Sequence, residues 1–276
     1  MSQLLHAHLL HLRSAGLAER TITDRQRVLT TLDRQLPYGI DHADADELTT
    51  WLANPDWHPW TRCTYHRHIR GFYRWATDPR DPRLTLDPSA TLPSPRNPEA
   101  DPDPVTDDQL RTALERSDTR WQLAIVLAAY AGLRATEIAR LRREHVTPEH
   151  LTVRNGKGGK TAKLPTHPEI WRRVADTPDG LLLPAHSGRP YVGGQLPTRA
   201  RMHFNRIGMP DVHLHRFRHW YATMLLRQGA DIITVRDLMR HKSIKTTEAY
   251  LAIVGEQRRL AIRTLPALSS PQQEAA

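Results

Sequence analysis

"WQLAIVLAAYAGLRATEIARL", residues 121–141, decides how the rest of the chain is read. From Trp121 to Leu133 the side chains are apolar on nearly every side, with no polar stripe at helical spacing. A helix of that kind is buried in the middle of a domain rather than laid on its surface. Gly132 follows immediately after that helix. Arg134 then emerges at the end of a buried helix, where an arginine taken alone is most often a capping or surface residue. Glu137, three residues on, is placed to orient an arginine.

On the N-terminal side, "VTDDQLRTALE" predicts a helix capped by Thr106, with acidic residues in its first turn. Before it, residues 87–104 ("DPSATLPSPRNPEADPDP") are dense in proline and read as an extended linker. The chain therefore divides into a part at 1–86, the linker at 87–104 and a larger part at 105–276. The smaller part has helical rhythm throughout. "SQLLHAHLLHLRSAG" closes on glycine; "TITDRQRVLTTLDRQL" offers Thr21 or Thr23 as its cap; "DADELTTWL" gives a third helix. A fourth, over 59–77, starts with Pro59 in the first turn, where proline is tolerated. On it Tyr65, Ile69, Phe72 and Ala76 form an apolar stripe, with Arg67, Arg70 and Arg74 on roughly the opposite face. Those arginines form either a solvated basic face or a face laid against DNA phosphates.

Strand signals are few. "LTVR" and "AKLP" flank "NGKGGKT", which has hairpin turn chemistry. The fold class expected is mainly α with one small β-hairpin, in two domains.

The 276 residues carry 39 Lys+Arg against 30 Asp+Glu, a formal charge of +9 that points to a polyanionic partner. No apolar run is long enough to span a bilayer, and no Lys/Arg–Trp amphipathic helix favours a membrane surface. The N-terminus does not read as a secretory signal, and a lone cysteine, Cys63, fits a reducing cytoplasm.

Only five of the basic residues are lysine, and three of them, Lys157, Lys160 and Lys163, fall at the hairpin. Lysine can surrender a proton where arginine cannot, so a mobile lysine suits a general acid for a leaving oxygen. "HLHRFRHWYATMLL" puts His215 and Arg218 on one helix face. His219 also fits a metal pair with His215, but no acidic, cysteine or third histidine ligand follows at metal spacing, so no metal is expected. Phe217, Tyr221 and Met224 are spaced as core. "MRHKSIKTTEAYL", residues 239–251, carries His241 and Tyr250 nine residues apart. Alone, Tyr250 reads as a core aromatic. Two arginines, two histidines and a lysine around one phosphate would neutralise the charge developing on its oxygens and stabilise a tyrosinate. Together these parts describe phosphoryl transfer through a phosphotyrosine, with no metal or cofactor.

The ordered set "AGLRATEIARL", "NGKGGK", "HRFRHWYAT" and "LMRHKSIKTTEAYLAI" resembles the tyrosine recombinase (phage integrase) family. The intervals are family-like: 23 residues from Arg134 to Lys157 and 26 from His215 to His241. The resemblance covers most of residues 105–254. It implies a helical, SAM-like core-binding domain and a catalytic domain that together form a C-shaped clamp on duplex DNA, in the family's short form without an arm-binding domain. It also implies Tyr250 as nucleophile, giving a 3′-phosphotyrosyl linkage and a free 5′-hydroxyl. Arg134 and Arg218 match the phosphate clamps, His215 the position that handles protons or contacts the phosphate, His241 the second histidine, Lys157 the general acid with Lys160 as fallback, and Glu137 the support of the first arginine. Partners implied are a double-stranded core site and a homotetramer on synapsed DNA, with room for a directionality factor. Two departures stand out. Arg240 replaces a glycine usual before the second histidine, and Trp220 replaces a smaller residue.

The leading expectation is an integrase of a phage or mobile element. An Xer-like dimer resolvase shares the chemistry, and the sequence does not separate the two. A type IB topoisomerase fits the hairpin and intervals less well. A catalytically inactive DNA-binding regulator is opposed by six filled catalytic positions. Beyond Tyr250, Leu251, Val254, Arg258 and Ile262 lie near helical spacing, a tail for docking on a neighbouring protomer or on its own domain.

Overall fold

The computed structural model describes residues 2–96, 101–154, 161–241, 243 and 245–252. It divides into two compact units, Met1–Ala100 and Asp101–Ala276. The division falls inside the proline-rich stretch.

The first unit holds four helices: α1 (Gln3–Ser14), α2 (Glu19–Gln35), α3 (Ala45–Leu52) and α4 (Pro59–Ala76). Ser2 caps α1 by accepting from the Leu5 amide at 3.0 Å. Asp44 and Glu47 form a reciprocal capping box on α3. Pro59 does sit in the first turn of α4. The expected cap of α2 is wrong: the helix starts earlier, after Ala18, with no side-chain cap, and Thr21 and Thr23 lie inside it. The backbone turn at Gly16 sets that start, with the Thr21 and Ile22 amides closing on the Ala18 carbonyl.

Apolar stripes of the four helices meet in one core. Leu5, Leu9 and Leu12 pack with Ile22, Leu29, Leu32, Leu48, Ile69 and Phe72. Tyr65 joins a ring cluster with Trp51 and Trp57. Part of the proline-rich stretch is not free spacer. Leu92 is buried in this core. Arg70 donates from Nη1 to the carbonyls of Ser89 and Ala90, at 2.6 and 2.9 Å.

The second unit holds α5 (Asp107–Glu115), α6 (Thr119–Ala131), α7 (Ala135–Ile138), β1 (His150–Val153), β2 (Ala162–Pro165), α8 (Pro168–Val174), α9 (Gln195–Arg206), α10 (Leu214–Arg227), α11 (Ile232–Met239) and α12 (Lys245–Glu248), with a 3₁₀ turn over Ala249–Ala252. Thr106 caps α5 as expected, in a capping box with Gln109. At the head of that helix Asp103 receives Arg216 at 2.8 Å, which pins the chain entering the unit. Helix α6 is the centre: nine of its 13 residues are buried, so it has no solvent face. Each large aliphatic it buries contributes about 1.5–3 kcal/mol. Helix α10 packs along it, Phe217 against Phe204 of α9. Strands β1 and β2 pair antiparallel, Leu151 opposite Leu164. The hairpin tip with Lys157 and Lys160 lies outside the described residues. Among the described residues no helix is long and apolar enough to cross a membrane.

Candidate active site

The end of α6 builds the floor of the site. Gly132 turns left-handed (φ 57°), as a C-cap must after a helix with no other stop. A β-carbon there would lie 2.5 Å from Cδ1 of Tyr221, so only glycine fits between α6 and α10. Its carbonyl, freed by the turn, accepts from Arg218 Nη1 and from Arg240 Nη2, the latter at 3.1 Å.

Arg218 rises from α10 into this floor and is 1% exposed. It also donates from Nη2 to the Met239 carbonyl at 2.5 Å. Burial, with Arg134 and Arg240 nearby, pulls its pKa down to about 9. Its Nε has no partner among the described residues. A buried guanidinium with a spare donor, beside two more guanidiniums, is a site short of an anion.

Arg134 is the N-cap of α7, half-exposed at the rim. The Glu137 carboxylate accepts from its backbone N–H at 2.7 Å and from its Nη1 at 3.1 Å. The same carboxylate accepts from Arg240 Nη2 at 2.7 Å. Burial pushes the Glu137 pKa up, but Arg240 and Arg134 overcome it and hold the carboxyl below its ordinary range. Glu137 thus orients two arginines, where one was expected.

Arg240 is the C-cap of α11 in left-handed backbone, the one non-glycine residue with positive φ (55°) among those described. The expected glycine is absent, yet the turn keeps the conformation a glycine would give it. The sequence departure changes the side chain, which is spent on Glu137 and Gly132.

His219 lies against Tyr250, their rings 5.5 Å apart, with His215 and His241 beside His219. The rings of His215 and His219 meet edge-on at 4.4 Å. Burial, then Arg218, lowers His215 and His241 to about 4. His241 Nδ1 lies 2.9 Å from Oγ1 of buried Thr247, which ties it to α12. Tyr250, 3% exposed, packs with Ala222, Leu226, Val235 and Met239. Its hydroxyl lies 2.6 Å from His219 Nδ1. Burial raises its pKa to about 12, with Arg218 and Arg134 pulling the other way.

The structure thus brings Arg134, Glu137, His215, Arg218, His241 and Tyr250 to one place. Trp220 is turned away, donating from Nε1 to Asp107 at 2.7 Å. In the other unit Arg67 and Arg74 are exposed, while Arg70 is half-buried on carbonyls. The tail beyond Ala252 lies outside the described residues. His219 and Arg240 belong to the cluster although sequence reasoning gave neither a role in it. The available signal for His219 was its place one turn after His215.

The phage integrase family model matches residues 105–256, more than half of the chain, and the chain belongs to that family. A tyrosine recombinase of Thermosipho africanus is 26% identical over 258 residues, spanning 88% of this chain and 90% of the relative. The XerD recombinase of Vibrio cholerae is 29% identical over 269 residues, 88% of each chain. The λ integrase dimer bound to a core site shares the fold, with TM-score 0.74 at 17% identity over 90% of this chain and 75% of that one. So does the Tn1549 transposon integrase, at 0.68 and 18%, over 94% of this chain and 100% of that one.

Proposed function

We propose that this chain cleaves and rejoins DNA at a specific site through Tyr250, as an integrase of a phage or other mobile element. The observation that carries the chemistry is the gathering of Arg134, Arg218, His215 and His241 in one cluster with Tyr250, the two arginines acting on the phenol directly. Their charge suits a phosphodiester whose non-bridging oxygens gain charge during attack. The Tyr250 oxygen forms its bond to phosphorus as the 5′-oxygen leaves, giving a 3′-phosphotyrosine and a 5′-hydroxyl. Lys157, on the hairpin, supplies the proton to that oxygen. Rejoining runs the steps backwards, and no cofactor enters. The exposed Arg67 and Arg74 of α4 hold the duplex backbone, and four protomers act on two synapsed sites. This agrees with the λ integrase tetramer solved on a Holliday junction.

XerD-type relatives matched over most of the chain favour a second role, resolution of chromosome or plasmid dimers by the same chemistry. The experiment for both begins with protein incubated on fragmented host DNA and recovery of DNA that stays attached in detergent. Sequencing the attached 3′ ends yields the site, and a nicked duplex of that site then traps the adduct. Tyr250→Phe is expected to give none; an adduct persisting in that variant sinks the reading. Recombination between two unlike sites supports the integrase role, and exchange confined to one site repeated in a dimer supports the resolvase.

A further inference from the structure

We infer that His219 is the group that takes the proton from Tyr250 as its oxygen attacks, and so is a catalytic residue of this site. The inference rests on Tyr250 being the nucleophile. Tyrosine attack on phosphorus has to dispose of a phenolic proton, and Lys157 works at the opposite, leaving oxygen. Something near Tyr250 must accept it.

The geometry points to one side chain. His219 Nδ1 stands 2.6 Å from the Tyr250 oxygen, within the reach a general base needs. His241 has its Nδ1 on Thr247. His215 meets the His219 ring rather than the phenol. Among the described residues the hydrogen bond made by the Tyr250 hydroxyl goes to His219 alone. For Nδ1 to accept, the ring proton must sit on Nε2, a tautomer that leaves Nδ1 ready for the proton.

Ionisation before attack is a poor route. A phenol raised to about 12 is ionised at neutral pH only about once in 10⁵ molecules. A phosphate arriving with its own negative charge makes that fraction smaller. Transfer during attack avoids a free phenolate. His219 is kept neutral for it: burial, then His215, Arg218, His213 and His241, lowers its pKa to about 3. Those neighbours lie before and along α10 and after α11, and Arg134 at the start of α7 adds its charge to the phenol. A phosphodiester anion among these cations offsets their repulsion and raises the basicity of His219. The base is therefore weak without DNA and stronger with it, which couples proton removal to substrate binding.

The step balances. The Tyr250 O–H bond breaks and His219 Nδ1 gains the proton. The oxygen's electron pair forms the bond to phosphorus, and the 5′-oxygen departs with the proton from Lys157. During rejoining His219 returns its proton to the departing tyrosine.

The test is single-turnover adduct formation on the nicked duplex, across pH 6 to 9, for wild type, His219→Ala, His219→Asn and Tyr250→Phe. Saturating DNA is used, and retained DNA binding reports an intact fold. Asparagine keeps an acceptor near the Nδ1 position but cannot take a proton. We expect both His219 variants to slow adduct formation by about 10²–10⁴-fold. Their residual rates should climb about tenfold per pH unit, as for attack by preformed phenolate, while the wild-type profile is flatter. Added imidazole should restore His219→Ala in part. A near-wild-type rate in His219→Asn would overturn the proposal, leaving only a positioning role. So would slow variants with the wild-type pH profile and no imidazole rescue. An adduct in Tyr250→Phe removes the nucleophile assignment instead, which separates the two failures.

Discussion

Arg240 and Glu137, 103 residues apart in sequence, form an ion pair at 2.7 Å that joins the end of α11 to α7. Both side chains are largely out of water, at 13% and 6% exposure. Removing one partner of such a pair leaves a buried charge half-compensated, which costs about 2–3 kcal/mol when a second partner, here Arg134, remains. Left-handed backbone at a residue with a β-carbon costs about 1–2 kcal/mol, and glycine avoids it. Arg240→Ala is therefore expected to be the less stable variant and Arg240→Gly the milder one, both below wild type. Denaturant midpoints give the order. An Arg240→Gly protein more stable than wild type would show that the pair contributes nothing and that strain dominates.

Gly132 carries two constraints at one position: positive φ, and a β-carbon that would meet the Tyr221 ring at 2.5 Å. Gly132→Ala is expected to lose about 2–5 kcal/mol, the sum of backbone and overpacking costs. Its carbonyl also anchors Arg218, so DNA cleavage should fall even at temperatures where the variant is folded. Tyr221→Leu in the same chain should recover part of the stability, because it clears the ring but not the backbone. Equal stability of the single and double variants would contradict the packing account.

The core of the first unit is expected to be acid-sensitive at His8. The residue is 1% exposed, edge-on to Phe72, and neither ring nitrogen has a partner among the described residues. Burial, with Arg25 of α2 and His11 of α1 adding repulsion, lowers its pKa from 6.5 to about 4. A folded pKa below the unfolded one gives stability that is present above about pH 6.5 and lost as pH falls through about 4. His8→Leu is expected to raise stability by about 1 kcal/mol at neutral pH, through loss of an unsatisfied polar group. Its advantage should grow below pH 6. Hydrogen exchange of α1 and α4 reads this unit separately from the histidines of the other. Equal acid lability with and without His8 would refute it.

How much of this was legible follows from where each partner lies. Thr106, Pro59 and the all-apolar α6 are local signals, and their elements stand where those signals put them. The residues gathered around Tyr250 were legible as an ordered set of motifs. The α2 cap was misread because threonine is compatible with both a cap and a helix interior, and the turn at Gly16 decided between them. Arg70 was read by its face of α4, but its partners are carbonyls 19 and 20 residues on. Arg240 was visible only as a broken pattern, since Glu137 lies more than a hundred residues away. His219 was weighed against His215, one turn off, while its partner is 31 residues further along. Local spacing finds caps and faces; side chains meeting across the fold need the packing itself.

In sequence Lys157 falls between β1 and β2, with glycines on either side and Lys160 and Lys163 close by. An arginine there could not release a proton at neutral pH, which makes the lysine at this place in an arginine-rich chain a chemical choice. Lys157→Ala is expected to slow cleavage of the nicked duplex by about 10²–10⁴-fold while leaving DNA binding nearly unchanged. A bridging sulfur in place of the 5′-oxygen leaves without protonation, so that substrate should return the variant to near its wild-type rate. Lys160→Ala, three residues on, should cleave both substrates normally. Rescue seen in Lys160→Ala and not in Lys157→Ala would transfer the role to Lys160, and normal cleavage by both variants would remove the hairpin from proton transfer altogether.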